Sequence, residues 1–145
     1  MILGIGTDIL EIDRIKKIYI KKPDRLKQHI LSKIEIEEFN LLKNDNNKIS
    51  FLSKRFVAKE AFGKAIGCGV NNKYLSLSDI TISHDKLGRP FVVKNVKITE
   101  AVRKFHHLSN YELLLSIADE KHYATANVVI QDVQHTIMGF LKQGK

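Results

Sequence analysis

The chain has a single cysteine, Cys68, so no internal disulfide can hold it together. It also lacks any apolar run close to the roughly 18 residues that a membrane span needs. No cysteine/histidine spacing suggests zinc, and no helix-turn-helix pattern or aromatic-rich RNA motif is present. The start, Met1-Ile-Leu-Gly-Ile-Gly, has no basic leader and reaches Asp8 too soon for a signal peptide, so a cytoplasmic protein is expected. Repeats, low-complexity tracts and linkers are missing as well. One domain over residues 1–145 is expected, with a core to about residue 130 and a short C-terminal extension over 131–145. Acidic residues are the scarcer charge: 16 Asp and Glu stand against 24 Lys and Arg, a net charge of +8. That excess favours an anionic partner, whether nucleic acid, an acidic protein or a phosphorylated small molecule.

At 43% hydrophobic and 28% charged, the composition is that of a globular domain. Ile2, Leu3, Ile5 and Ile9 suggest a buried strand, whose Gly4 and Gly6 imply that another part of the backbone comes very close. Ile12, Ile15, Ile18 and Tyr19 follow helical spacing, and Pro23-Asp24 breaks that helix and starts another with Leu26, Ile30 and Leu31 inward. Ser32 with Glu35 fits a capping box that leads into Phe39, Leu41 and Leu42. Asn44-Asp-Asn-Asn47 reads as a loop, after which Ser50 would cap a helix running to about Ile66. On that helix Phe51, Ala58, Phe62, Ala65 and Ile66 share one face, while Ser53, Glu60 and Lys64 share the other; Gly67 and Gly69 would end it. Leu77 to Ser83 alternates like a strand, Leu87-Gly-Arg-Pro90 is a turn, and Phe91 to Val93 would pair across it. Thr99 to Leu108 reads as a helix with Ala101, Val102 and Phe105 inward. Tyr111 to Ala118 and Tyr123 to Ile130 read as two strands joined into a hairpin by the short connection Asp119-Glu-Lys-His122, and Asp132 to Phe140 suits a short amphipathic helix. Helices come mainly first and strands mainly later, which points to an α+β fold with an antiparallel sheet.

Few residues are candidates for chemistry. Asp8 is either a metal-binding carboxylate or the N-cap of the following helix. Glu60 and Lys64, four apart, are either an ordinary ion pair or a second metal ligand beside a phosphate clamp. Two carboxylates suit Mg²⁺, which takes few of them and fills its shell with water and phosphate oxygens. Lysine suits phosphate as a compact point charge. Gly67-Cys-Gly69 is not a P-loop, because Lys64 precedes the glycines. Cys68 has no histidine or asparagine at a motif spacing that would make it a nucleophile. His84, His106 and His107 read as solvated or satisfied side chains. Lys16, Lys17, Lys21 and Lys22 form either a solvated face or a dock for an acidic helix.

Taken together, Gly4-Ile-Gly-Thr-Asp8 with Glu11-Ile-Asp-Arg14, and Arg55-Phe with Ala58-Lys-Glu60, Lys64-Ala and Gly67, resemble the holo-[acyl-carrier-protein] synthase family of small 4'-phosphopantetheinyl transferases. Asp85-Lys-Leu-Gly-Arg-Pro90 and Leu115-Ser-Ile-Ala-Asp-Glu-Lys-His-Tyr-Ala124 add to the likeness. The resemblance implies the fold of that family and transfer of phosphopantetheine from coenzyme A to a serine of apo-acyl carrier protein, serving fatty acid biosynthesis. It implies that Asp8 and Glu60 hold Mg²⁺, that Lys64 contacts the phosphates of coenzyme A, and that Gly67, Arg89 and Pro90 line the coenzyme A cleft. Arg14, with Lys17, Lys21 and Arg25 nearby, would meet the acidic helix of the carrier. The family is trimeric, with active sites between subunits. Where many members read Ser-His, this chain has Ala118-Asp119, so Asp119 would orient a water, accept the serine proton or contact coenzyme A, or else simply belong to the hairpin turn.

The competing readings are a basic nucleic-acid-binding domain, suggested by charge alone, and a coenzyme-A-binding scaffold without activity. The resemblance implies no nucleic-acid partner, and the joint presence of Asp8, Glu60 and Lys64 argues against an inert scaffold.

Overall fold

Two glycines decide how the elements pack. The computed structural model describes residues 1–133. Strand β1 (Ile2–Glu11) lies directly on helix α4 (Asp45–Ile66). A Cβ on Gly4 would stand 2.0 Å from the carbonyl oxygen of Ala65, and one on Gly6 1.9 Å from that of Ala61. Only glycine permits that approach, as the sequence pattern had implied.

Between β1 and α4 the chain makes three short helices: α1 (Ile12–Lys21), α2 (Pro23–Ile30) and α3 (Lys33–Asn40). Pro23 sits in the first turn of α2, where its missing N–H costs nothing. The capping box of α3 forms: Ser32 N–H donates to Glu35 Oε2 at 2.8 Å, and Glu35 N–H to Ser32 Oγ at 3.4 Å. After α4 come a single 3₁₀ turn (Leu77–Asp79), a two-stranded ribbon of β2 (Ile82–His84) and β3 (Pro90–Val92), helix α5 (Val96–His106), and the hairpin β4 (Tyr111–Asp119) and β5 (Tyr123–Asp132). The main sheet is antiparallel in the order β1-β5-β4, with Gly6 opposite Val128 and Leu114 opposite Val129. Helices and an antiparallel sheet give the expected α+β class.

Helix α4 is the axis of the core. Leu52, Val57, Ala58, Ala61, Phe62 and Ile66 are buried, and so is Ser53, whose hydroxyl donates to Ile49 O at 2.8 Å. The helix therefore packs nearly all round, and the expected polar face survives only at Glu60 and Lys64. Gly67 ends the helix with φ +91°, a conformation that favours glycine.

Five expectations need correction. Helix α4 starts at Asp45, five residues before Ser50, because Asn44 caps it by accepting from Asn47 N–H at 2.8 Å; the asparagine run is a helix start, not a loop. Leu77 to Ser83 does not form one strand, because Asp79 accepts the N–H of Ser76 at 2.9 Å and winds Leu77–Asp79 into a 3₁₀ turn. Helix α5 begins at Val96, capped by Asn95, rather than at Thr99. Asp119 belongs to β4, opposite Ala124, so the hairpin connection is residues 120–122. The helix expected over Asp132 to Phe140 does not start where expected, because Asp132 ends β5; its positions from 134 on, Ile137, Met138 and Phe140 among them, lie outside the described residues, as does Leu141.

The inner face of β5 buries Ala124, Ala126, Val128 and Ile130. The opposite face of the sheet leaves Ile5 64%, Ile9 66% and Leu114 41% exposed.

Candidate active site

Because Gly6 seats β1 on α4, the residues just after it come within reach of the polar end of that helix. Lys64 Nζ donates to Asp8 Oδ1 at 2.9 Å and to the carbonyl of Thr7 at 3.0 Å. Of the two readings of Glu60 and Lys64, the ordinary i,i+4 ion pair does not form: the lysine turns to the strand, whose carboxylate and carbonyl together offer two acceptors. Asp8 does not cap α1 either. It is a strand residue opposite Ala126, its carbonyl accepts the Thr125 hydroxyl at 2.9 Å, and α1 begins four positions later with no side-chain cap.

Glu60 is half-buried and, among the described residues, has no ion-pair or hydrogen-bond partner for its carboxylate. Burial pushes its carboxyl above the usual range, the charge of Asp8 pushes it further, and Lys64 only partly offsets this. Two carboxylates thus act on one another with a single ammonium between them. That deficit of positive charge, on hard oxygen donors, fits a divalent ion such as Mg²⁺. Among the described residues no group of three or more His, Cys, Asp or Glu side chains could hold a metal, so the remaining ligands would have to be water and substrate.

A second feature is a cleft of about 630 Å³ between α4, the β2–β3 ribbon and the end of β4. Pro90 and Asp119 line it, as do Lys54, Arg55 and His84. Asp119 Oδ2 accepts from Ser50 Oγ at 3.2 Å and lies 3.7 Å from Lys54 Nζ, leaving Oδ1 without a partner among the described residues. Arg55 is buried, 3.2 Å from Glu35 Oε1 through Nε and 3.3 Å from Glu38 Oε2 through Nη2, with its guanidinium 4.2 Å above the Phe51 ring. Burial, and then the charge of Arg55, hold the His84 imidazole below its ordinary pKa. The roles of Lys54, Arg55 and His84 were not read from the sequence. Arg55 stood within the recognised motif, but its place at a cleft wall depends on ribbon residues far along the chain.

The other named residues sit elsewhere. Arg89 is exposed and pairs with Asp85 at 3.2 Å, while Asp85 Oδ1 also accepts the N–H groups of Leu87 and Arg89 at 2.9 Å; together they lock the turn next to Pro90. A Cβ on Gly67 would meet nothing within 4 Å, so backbone conformation explains the glycine there. Arg14 and Lys21 on α1 and Arg25 on α2 are exposed, while Lys17 pairs with Asp13 at 2.8 Å. Ile18, Lys22, Arg25, Leu26 and His29 frame an apolar groove with a cationic rim beside them. Burial pushes the Cys68 thiol up, the opposite of an activated nucleophile.

With this geometry in place, comparison with known proteins is direct. The profile of the ACPS family, the 4'-phosphopantetheinyl transferase superfamily, matches residues 4–128. The holo-[acyl-carrier-protein] synthase of Pelagibacter ubique strain HTCC1062 is 46% identical over 130 residues, which is 90% of this chain and 97% of that protein. The crystal structure of the holo-[acyl-carrier-protein] synthase from Neisseria meningitidis superposes with a TM-score of 0.79 at 33% identity, over 91% of this chain and all (100%) of that one. That of the Bacillus anthracis protein, in complex with coenzyme A (3',5'-ADP), gives 0.73 at 32% identity, over 91% and 98% of the two chains.

Proposed function

The chain belongs to the 4'-phosphopantetheinyl transferase superfamily, and on that premise we propose that it moves the phosphopantetheine arm of coenzyme A onto a serine hydroxyl of apo-acyl carrier protein, releasing adenosine 3',5'-bisphosphate, in fatty acid biosynthesis. The observation that carries this is the cluster of Asp8, Glu60 and Lys64, built where β1 rests on α4. Residues 1–145 act as one catalytic domain.

Asp8 and Glu60 are the residues that would hold Mg²⁺. When bound there, the ion supplies positive charge against the pyrophosphate of coenzyme A and the leaving bisphosphate. Lys64 has three N–H donors and uses two, on Asp8 and on the Thr7 carbonyl; the third remains for a phosphate oxygen. Its charge stands where negative charge develops on transfer. Gly88 and Pro90 form one side of the coenzyme A cleft, on the turn that the Asp85–Arg89 pair locks, and Lys54 and Arg55 present cations on the other. Gly67 ends α4 so that the chain turns away from this end of the helix. Asp119, at the position where many family members have histidine, offers its unengaged Oδ1 to the proton of the attacking serine.

The acidic carrier docks on Arg14, Lys17, Lys21 and Arg25, with an apolar contact in the groove at Ile18 and Leu26. Three copies associate through the outer face of the sheet, where Ile5, Ile9 and Leu114 are exposed, and the active sites form between them. The single free cysteine suits a reducing cytoplasm.

The deciding experiment is the intact mass of apo-acyl carrier protein after incubation with this protein, coenzyme A and Mg²⁺, beside an EDTA control. The expected result is a gain of one phosphopantetheinyl group on one serine, with metal only. No gain, from a folded enzyme and a competent carrier, overturns the reading. Sedimentation of the same enzyme sample as a monomer would remove the trimer, and Arg14→Glu weakening carrier and coenzyme A binding equally would remove the dock.

A further inference from the structure

Glu35 joins more of the molecule than any residue of the site. It is fully buried on α3. Oε2 accepts from Ser32 N–H at 2.8 Å and from Lys59 Nζ; Oε1 accepts from Ile82 N–H at 2.9 Å and faces Arg55 Nε at 3.2 Å. Lys59 also donates to the Ile30 carbonyl at 2.6 Å. One carboxylate therefore links the end of α2, the start of α3, the middle of α4 and the first residue of β2. The last two elements are the walls of the cleft that contains Pro90, His84 and Asp119.

The contact with Arg55 is of a particular kind. Arg55 Nε is within ion-pair distance of Glu35 but poorly aligned, and it is the one buried side-chain polar atom among the described residues without a hydrogen-bond partner. An arginine that served only to stabilise the core would take the bidentate fork that its geometry favours. Here the guanidinium is gripped by charge from two sides, Glu35 within and Glu38 without, and laid over Phe51, which also lines the cleft. It is aimed rather than consumed.

We propose that Glu35 is a positioning residue for anion binding in this cleft: it holds the Arg55 guanidinium at the cleft wall so that a phosphate of coenzyme A meets a preformed cation. The proposal rests on the function given above and adds a residue that touches no substrate. A preformed cation needs no reorganisation when the ligand arrives, and the loss of such outer support typically weakens binding or activity by about 10- to 100-fold.

The test reads coenzyme A affinity by titration calorimetry, alongside KM and kcat. Glu35→Gln alone strands two buried cations, so the informative protein is Glu35→Gln with Lys59→Met, which removes one charge of each sign. This double variant should weaken coenzyme A binding about tenfold or more, with kcat at saturation changed less than about threefold. Adding Arg55→Met to it should weaken binding little further, although Arg55→Met alone is costly in the wild-type chain. Glu38→Gln, at a carboxylate 43% exposed and so no threat to folding, should weaken binding in the same direction and lose its effect once Arg55 is Met. Affinity unchanged in the Glu35 and Glu38 variants, or effects simply additive with Arg55→Met, would overturn the role. If the double variant does not fold, Glu38→Gln alone decides. A wild-type chain that binds no coenzyme A overturns the proposed function itself; variants that bind as well as wild type overturn only the positioning role.

Discussion

Lys59 and Glu60 are neighbours on α4, yet they belong to opposite kinds of charge cluster. Lys59 joins Glu35 and Arg55 away from water and the part-exposed Glu38 at the edge, two cations against two carboxylates. Glu60 joins Asp8 and Lys64, two carboxylates against one cation, half open to solvent. The first cluster is balanced, as buried charge must be if the desolvation penalty is not to dominate. The second is short of one positive charge, which a fold has no structural reason to keep. Imbalance at an accessible place marks a binding site; balance in the interior lets a cluster hold a charged side chain such as Arg55 in place for one.

The largest effect should come from the unbalanced cluster. Asp8→Ala and Glu60→Ala should each lower Mg²⁺-dependent transfer by about 10²- to 10³-fold, the usual loss for one group that stabilises developing charge. Thermal stability should hardly fall, and Glu60→Gln should hold it or raise it slightly, because the repulsion from Asp8 is relieved. Calorimetric melting beside the transfer assay would check this. Full activity in a folded Asp8→Ala protein would remove the metal assignment. A large drop in melting temperature would show the cluster to be structural after all.

The balanced cluster should answer the other way. Glu35→Ala leaves Lys59 and Arg55 uncompensated in the interior and should cost about 3–5 kcal/mol of stability by urea unfolding. Its pH dependence has a definite sign. Burial pulls the Lys59 ammonium down to about 8 from 10.5, Glu35 opposes that, and Arg55 adds to it. Between those values the unfolded chain keeps a proton that the folded one has released, so this group makes stability rise with pH through the window and contributes no slope below it. The difference between wild type and Lys59→Met, followed from about pH 8 to about pH 10, should change by up to about 3 kcal/mol. A flat difference would mean that Lys59 stays charged in the folded chain across the window.

The two clusters also differ in how far local pattern reveals them. Gly4 and Gly6 announced a close backbone approach, and Asp8, Glu60 and Lys64 were legible as a group because each stands in a short motif. The wiring among them was not: helical spacing pairs Lys64 with Glu60, and only the strand lying across the helix shows that Asp8 and the Thr7 carbonyl win the lysine. Glu35 was legible as a capping-box residue and nothing more. The capping bond is local, three residues away, whereas its ion pairs with Arg55 and Lys59 and the bond it accepts from Ile82 N–H reach along the chain to elements that meet only on folding. Asn44-Asp-Asn-Asn47 misled for a related reason: asparagine serves both loops and caps, and the choice was made by the apolar residues that follow it.

The smallest effect separates orientation from chemistry at Asp119. Ser50 Oγ donates to Asp119 Oδ2 at 3.2 Å across the exposed mouth of the cleft, a long bond in solvent with Lys54 as a second support. Ser50→Ala should therefore cost no more than about 0.5 kcal/mol of stability. If Asp119 accepts the serine proton through its free Oδ1, Asp119→Asn should lower kcat by about 10²-fold or more. Ser50→Ala should lower it only a few-fold, because Lys54 still holds the other oxygen. A pH–rate profile of the two variants decides the matter. Ser50→Ala should keep the acid limb of the wild-type profile and Asp119→Asn should lose it. An unchanged limb in Asp119→Asn would assign the proton to another group and leave Asp119 as a wall of the cleft, in the same class as Pro90.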